Sequence, residues 1–395
     1  MLCPVPCRTG RSSFFPIHSP LTLTLSSSDP NDSLYINRCI ELARQALGQT
    51  APNPLVGAVI VNEGVVVGEG YHPRAGEPHA EVFALQAAGD RARNSTVYVN
   101  LEPCNHYGRT PPCTEALIKA GVRRVVVGMV DPDPRVSGQG IERLQQAGIE
   151  VTVGVEEEAC RRLNEAFIHR IQHHLPWGIL KYAMTLDGKI ATTTGHSKWI
   201  TGSESRHWVH QLRGACDAVI VGGNTVRQDN PLLTTHGTME HNPVRMVMSR
   251  SLDLPETAKL WDVAIAPTVI FTEKDANLQM AGRLRDRGVE VVEFPQLTPQ
   301  AVMEEGYRRG FLSVLWECGG RLGAEAIASG AVQKIYAFIA PKIIGGHGAP
   351  SPVGDLGLTE MDRAFYLTDV HYQTIGDDIL VEGCLTSAID DSPAL

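Results

Sequence analysis

From residue 32 onward the apolar positions change rhythm repeatedly, between the three- and four-residue spacing of a helix with one buried face and the short unbroken runs of a buried strand. Residues 34–47 read as a helix, 56–61 and 65–71 as strands, and 80–88 as a helix. The alternation continues with a strand over 96–101, a helix over 114–120, a strand over 124–129, a helix over 140–147 and a strand over 151–153. Strands taking turns with helices predict an α/β layered sheet. A charged, helix-compatible stretch over 156–174 then stops at Pro176, whose ring and missing N–H cannot continue a helix. Beyond it the pattern restarts, with strands over 177–183, 218–221, 244–248, 268–271, 289–292 and 312–316 and a helix over 203–214. The expectation is an α/β chain in two domains, 32–175 and 176–395, after an extension over 1–31.

Composition narrows the partners. A chain of 395 residues, 43% hydrophobic and 20% charged, suits two water-soluble cores. A formal net charge of -9 argues against nucleic acid, which is gripped by clustered Lys and Arg, and favours a small-molecule substrate. No apolar run approaches the roughly 20 residues of a membrane span. Nine scattered cysteines lack the dense spacing of a disulfide framework, so a reducing, cytoplasmic setting is expected, with thiols free for metal. The extension carries Arg8 and Arg11 among Ser and Pro with no acid before Asp29. That composition suits a disordered segment or an over-long start, and a plastid transit peptide is the alternative. Oligomeric state is left open.

One constellation in the first half carries its own chemistry. His79-Ala80-Glu81 is followed by Pro103-Cys104 and then by Cys113, giving one imidazole, two thiols and a carboxylate that need not ligate. Zinc takes N and S donors in a tetrahedron, and three protein ligands leave the fourth position to water, whose pKa falls to about 7. Glu81 is then the candidate catalytic residue, carrying the proton from that water to departing ammonia. His79 and Cys113 each stand before a helical segment, where the helix dipole favours a thiolate and a developing anion. A structural zinc would instead recruit a fourth protein ligand, for which His106 is at hand.

The HxE…PC…C pattern resembles the cytidine-deaminase-like superfamily. Asn-His-Tyr-Gly-Arg-Thr-Pro-Pro between the cysteines, with Asn53-Pro54-Leu55-Val56-Gly57 upstream and His72 and Gly76 before His79, narrows the likeness. It is similar to the deaminase domain of riboflavin-biosynthesis deaminase/reductases. That resemblance implies a cytidine-deaminase-like α/β/α layered domain that removes ammonia from the pyrimidinone of a diamino-ribosylaminopyrimidine phosphate. For such a nucleotide-like substrate, Asn53, His72 and Arg109 are candidate contacts, because amide and cationic groups suit a phosphorylated ligand. Asn53 could equally cap a turn before Pro54, and Arg109 could order its own loop.

In the second half, strand 218–221 runs into Gly222-Gly223-Asn224-Thr225, and strand 312–316 into Glu317-Cys318-Gly319-Gly320-Arg321-Leu322-Gly323. Backbone N–H groups in such turns suit a phosphate at a helix N-terminus. No G-x-G-x-x-G follows a strand, so spacing alone leaves a tight turn and a cofactor site both open. Taken with Lys181-Tyr182-Ala183-Met184 and Ser197-Lys198-Trp199-Ile200-Thr201-Gly202, the run from Trp177 to about Gly346 resembles the reductase domain of the same bifunctional enzymes, a dihydrofolate-reductase-like α/β fold. The resemblance implies NADPH contacts by Ala183, Trp199, Thr225, Asp229, Gly319, Gly320, Arg321, Leu322 and Gly323. It also implies substrate contacts by Ser197, Arg213, Leu233 and Glu317, with Lys181 near the reacting sugar. Arg213 suits a phosphate as a two-pronged donor, yet on a helix over 203–214 it could be merely solvated, and Glu317 could cap the helix after it.

Two positions depart from the family. His236 stands at the substrate position where a second Arg is usual, and an imidazole can be neutral at pH 7. Ser249-Arg250 ends strand 244–248 where an Asp is more usual, and no role is assigned to it. The sequence reads as a two-site enzyme with Zn2+ and NADPH, which deaminates the pyrimidinone and then reduces the ribosyl group to ribityl. One rival, a deaminase with an inactive reductase-like half, is opposed by Lys181, Arg213, Asp229 and Glu317. A nucleic-acid-editing deaminase is opposed by the net acidity.

Overall fold

The computed structural model describes residues 31–108 and 111–386. The first sheet and its helices follow in the order α1 (Asp32–Ala43), β1 (Gly57–Asn62), β2 (Val65–Tyr71), α2 (Ala80–Ala88), β3 (Thr96–Leu101), α3 (Cys113–Ala120), β4 (Arg124–Met129), α4 (Gln139–Gln146) and β5 (Glu150–Val153). Its strand order is β2-β1-β3-β4-β5, antiparallel at β2, β1 and β3 and parallel from β3 to β5. β3 and β4 are buried along their whole length, which explains their unbroken apolar runs. Successive side chains point to opposite faces, so Val125 and Val127 of β4 pack with Leu117 and Leu144, while Val126 packs with Ile36 and Cys160. Helices thus cover both faces.

α5 (Glu157–Leu163) and α6 (Glu165–His173) lead to the second sheet. The sequence pattern predicts one helical stretch there, but the chain breaks at Asn164, whose buried side chain accepts from the Leu55 N–H at 2.8 Å and donates to the Leu55 carbonyl at 3.0 Å. Pairing with a distant backbone competes with continuing the helix.

The second half runs β6 (Trp177–Thr185), α7 (Ser203–Ala215), β7 (Ala218–Gly222), α8 (Gly223–Asp229), β8 (Val244–Met248), β9 (Thr268–Glu273), α9 (Leu278–Asp286) and β10 (Glu290–Phe294). It continues with α10 (Pro299–Arg308), β11 (Ser313–Trp316), α11 (Gly320–Ala328), β12 (Lys334–Ala340), β13 (Tyr366–Ile375) and β14 (Asp378–Thr386). The order is β10-β9-β8-β7-β11-β6-β12-β14-β13, parallel through β12 and antiparallel at the last two strands. Ala218 and Ile220 of β7 face one core, Val219 and Val221 the other. Because β6, β7, β8 and β11 are parallel neighbours, their C-terminal ends share one edge, where open α/β sheets place ligands. Among the described residues no helix is long and apolar enough to cross a membrane.

Candidate active sites

The first site assembles where β3 ends and two helices begin. His79 is the N-terminal cap of α2, Cys104 follows the end of β3, and Cys113 is the first residue of α3 rather than the residue before it. His79 Nδ1 lies 3.4 Å from Cys104 Sγ and 3.3 Å from Cys113 Sγ. Zinc bonds of about 2.3 Å to sulfur and 2.0 Å to nitrogen, set at a tetrahedral angle, would separate N and S by about 3.5 Å. The donor trio therefore fits zinc in chemistry and in spacing, with all three atoms within 4.8 Å of one another. The Cys113 backbone N–H donates to Cys104 Sγ at 3.3 Å, and hydrogen bonding to Cys113 and then His79 pulls the Cys104 thiol down to about 4 against its burial.

His106 lines the same cavity but lies outside the donor trio, so the fourth protein ligand of a structural site is not supplied by it. Glu81 is 3% exposed and also lines this cavity of about 620 Å³. Burial pushes its carboxyl up to about 7, and its Oε2 has no hydrogen-bond partner. Such a group can take and return a proton near neutral pH.

Asn53 and His72 line the cavity together, and their side chains meet at 3.0 Å. His72 Nδ1 is 3.0 Å from the Pro78 carbonyl, so it carries the proton there and Nε2 accepts from the Asn53 amide, a tautomer assigned from these partners. Burial holds His72 below the usual histidine range, so it is neutral. Arg109 lies outside the described residues.

Sequence reasoning missed the opposite wall. Glu102, Asp131, Asp133 and Arg135 line the cavity, and Phe167 and Ile171 of α6 close it. Glu102 accepts from the backbone N–H groups of Asp131, Gly138, Gly140 and Ile141, which fixes the loop beside Cys104. Its partners are about 30 to 40 residues away along the chain, so no spacing signal could have found it.

The second site is a cavity of about 1050 Å³ at the shared strand edge. Lys181, Ala183, Ser197, Thr225, Asp229, Glu317, Gly319, Gly320, Arg321 and Leu322 all line it. Gly323 is buried behind the turn, and Leu233 is buried in the core with 3% exposure, so its side chain is a packing residue rather than part of the cavity wall. Trp199 is 63% exposed outside the lining, under the Arg206 guanidinium at 4.5 Å.

Arg213 is not solvated. Its Nε and Nη2 grip Glu317 at 2.6 and 3.0 Å, and Nη1 donates to the Thr234 carbonyl at 3.0 Å. Its fork is spent on Glu317 rather than held open for a phosphate. Lys181 Nζ stands 4.0 Å from the same carboxylate. Burial opposes the charge on Glu317, yet Arg213 and then Lys181 hold its carboxyl below the usual range. Burial also lowers Lys181. His236 stacks on His210 with centroids 4.2 Å apart, and neither belongs to the cavity wall.

The cavity also fits a dinucleotide. The N–H groups of Gly320, Arg321 and Leu322, in the first turn of α11, lack helical partners and belong to residues that line the cavity. A Cβ on Gly319 would meet nothing within 4 Å, so that residue leaves the cavity floor open. A Cβ on Gly320 would come within 2.5 Å of the Ser351 carbonyl, so glycine there is demanded by the protein's own backbone. Ser249, Arg250 and Ser251 line this cavity as well, a placement the sequence reading did not anticipate.

Comparison with known proteins bears on both halves. The family described as RibD C-terminal domain matches residues 176–381, and the cytidine and deoxycytidylate deaminase zinc-binding region matches residues 29–129. Riboflavin biosynthesis protein RibD of Synechocystis sp. is 62% identical over 361 residues, which cover 91% of this chain and 98% of that protein. The chloroplastic riboflavin biosynthesis protein PYRR of Arabidopsis thaliana is 45% identical over 97% of this chain and 66% of its own length. A solved diaminohydroxyphosphoribosylaminopyrimidine deaminase/5-amino-6-(5-phosphoribosylamino)uracil reductase from Thermotoga maritima superposes with a TM-score of 0.79 at 36% identity, over 90% of this chain and 99% of that one.

Proposed function

The chain belongs to the RibD family of bifunctional riboflavin-biosynthesis deaminase/reductases, and from that premise we propose how its residues divide the two reactions. Residues 32–175 deaminate the pyrimidinone of a ribosylaminopyrimidine phosphate, and residues 176–395 reduce its ribosyl group to ribityl. The observation that carries the reading is the convergence of His79, Cys104 and Cys113 within 4.8 Å beside Glu81 in one cavity.

His79, Cys104 and Cys113 would hold zinc, which when bound would lower the pKa of water and so supply a nucleophile at neutral pH. Glu81 would take a proton from the attacking water as the water oxygen adds to the ring carbon. It returns the proton to the amino nitrogen, so the C–N bond breaks and nitrogen leaves as ammonia. Asn53, whose side-chain N–H donates to His72 Nε2, has its amide oxygen left for an N–H donor of the pyrimidinone.

In the second cavity NADPH supplies a hydride when bound. Ala183, Thr225, Asp229 and the turn from Gly319 to Leu322 orient the dinucleotide, and Ser197 and Glu317 meet the sugar. As the ribose ring opens, its oxygen needs a proton, and the buried Lys181 ammonium is the group placed to give it. Arg213 acts through Glu317, holding the carboxylate ionised and in place. The Arabidopsis relative is described as chloroplastic, and the plastid alternative for the extension draws on that likeness.

The test is product analysis. Incubated with the diamino pyrimidine phosphate alone, the full chain should release ammonia and stop at the uracil. With NADPH added it should go on to the ribityl product. Ammonia release without any NADPH oxidation would confine the activity to the first half.

A further inference from the structure

We infer that Phe167 and Ile171 hold the face of the pyrimidinone ring in the first cavity, and that Glu165, through its ion pair with Lys334 of the second sheet, positions them. The inference rests on the deaminase reading above and adds the residues that bind the ring face and what sets them in place. A pyrimidinone has a polar edge and two apolar faces. Asn53, His72 and Glu81 bring polar groups for the edge, whereas a face needs apolar contact. Phe167 brings a phenyl ring to the cavity lining and Ile171 an aliphatic side chain. Both stand on α6, outside the sheet whose strand ends and helices carry the zinc donors.

Residues four apart share one face of a helix, so Phe167 and Ile171 leave α6 in the same direction. Glu165 and His169 share another face, about half a turn away, and both meet the second sheet. Glu165 Oε1 and Oε2 accept from Lys334 Nζ at 2.9 and 3.2 Å, and the His169 ring meets the Trp177 ring edge-on with centroids 5.2 Å apart. Trp177 opens β6 and Lys334 opens β12, which are paired neighbours in that sheet. This hold fixes the rotation of α6 about its own axis, and the rotation decides whether Phe167 and Ile171 face the cavity. The Lys334 side chain is only 6% exposed and has a second partner in Glu382 at 2.9 Å, so it is a fixed post rather than a swinging one.

The test is steady-state ammonia release by the full chain from the diamino pyrimidine phosphate, with zinc content measured alongside. Phe167→Ala should raise KM by about tenfold while kcat and zinc hold, because contact with a ring face binds ground and transition state alike. Glu165→Ala leaves Lys334 paired with Glu382, so the fold is kept, and the same KM should rise with kcat and zinc again unchanged. Combined with Phe167→Ala it should add less than it does alone, because it acts through the ring already removed. Glu165→Gln keeps an acceptor for Lys334 and should restore most of the affinity. An unchanged KM in Phe167→Ala, or factors that multiply in full in the double variant, would overturn the inference. A loss of kcat or zinc in Glu165→Ala would overturn it too, by making the ion pair merely structural. No ammonia release by the unmodified chain would remove the deaminase reading itself, before any variant is compared.

Discussion

At the scale of single residues, the deaminase donors were legible because their chemistry is local. His79 and Glu81 are two positions apart, and Cys113 begins a helix whose N–H end meets the other thiol. Cys104→Ser should therefore lose zinc, while Glu81→Ala should keep it and lose about 10²–10⁴-fold in deamination, since Glu81 moves protons without ligating. Metal analysis beside an ammonia assay checks both, and zinc loss from Glu81→Ala would reassign that residue as a ligand. Arg213 was only half legible: its charge was clear, but its partner was not. Removing it strips the buried Glu317 of a two-pronged bond, so Arg213→Ala should cost about 3–5 kcal/mol of stability as well as reductase activity. Thermal unfolding reads this. An unchanged melting temperature with only a raised KM would mean that the guanidinium is spent on substrate.

At the scale of elements, β12 was missed despite its burial, but the unbroken runs at β3, β4 and β7 were found within a residue of their ends. β13 and β14 were not, because β13 is exposed along most of its length and alternates without an apolar run. The break at Asn164 was equally unreadable, since its cause is Leu55, more than a hundred residues earlier. Asn164 ties α5 and α6 to the segment that carries Asn53. The Leu55 carbonyl has a second donor in Asn100, so Asn164→Ala orphans chiefly the Leu55 N–H. The expected cost is about 1–3 kcal/mol, with deamination falling further than reduction. A variant that unfolds at the same temperature and deaminates normally would show that Asn164 is incidental to the first site.

At the scale of the whole molecule, α6 touches both halves. Phe167 and Ile171 close the first cavity, Glu165 binds the buried Lys334 of β12 at 2.9 Å, and Arg170 donates to the Tyr307 and Phe311 carbonyls. The helix fixes one sheet against the other, yet the two cavities share no lining residue. Groups without shared partners act nearly additively. The central claim, two chemically separate sites on one chain, is tested most directly by assaying each half-reaction in Glu81→Ala. Ammonia release from the diamino substrate should be lost, while NADPH oxidation with the purified deaminated intermediate should run at the rate of the unmodified chain. Loss of both activities in a folded, zinc-replete variant would contradict the two-site account.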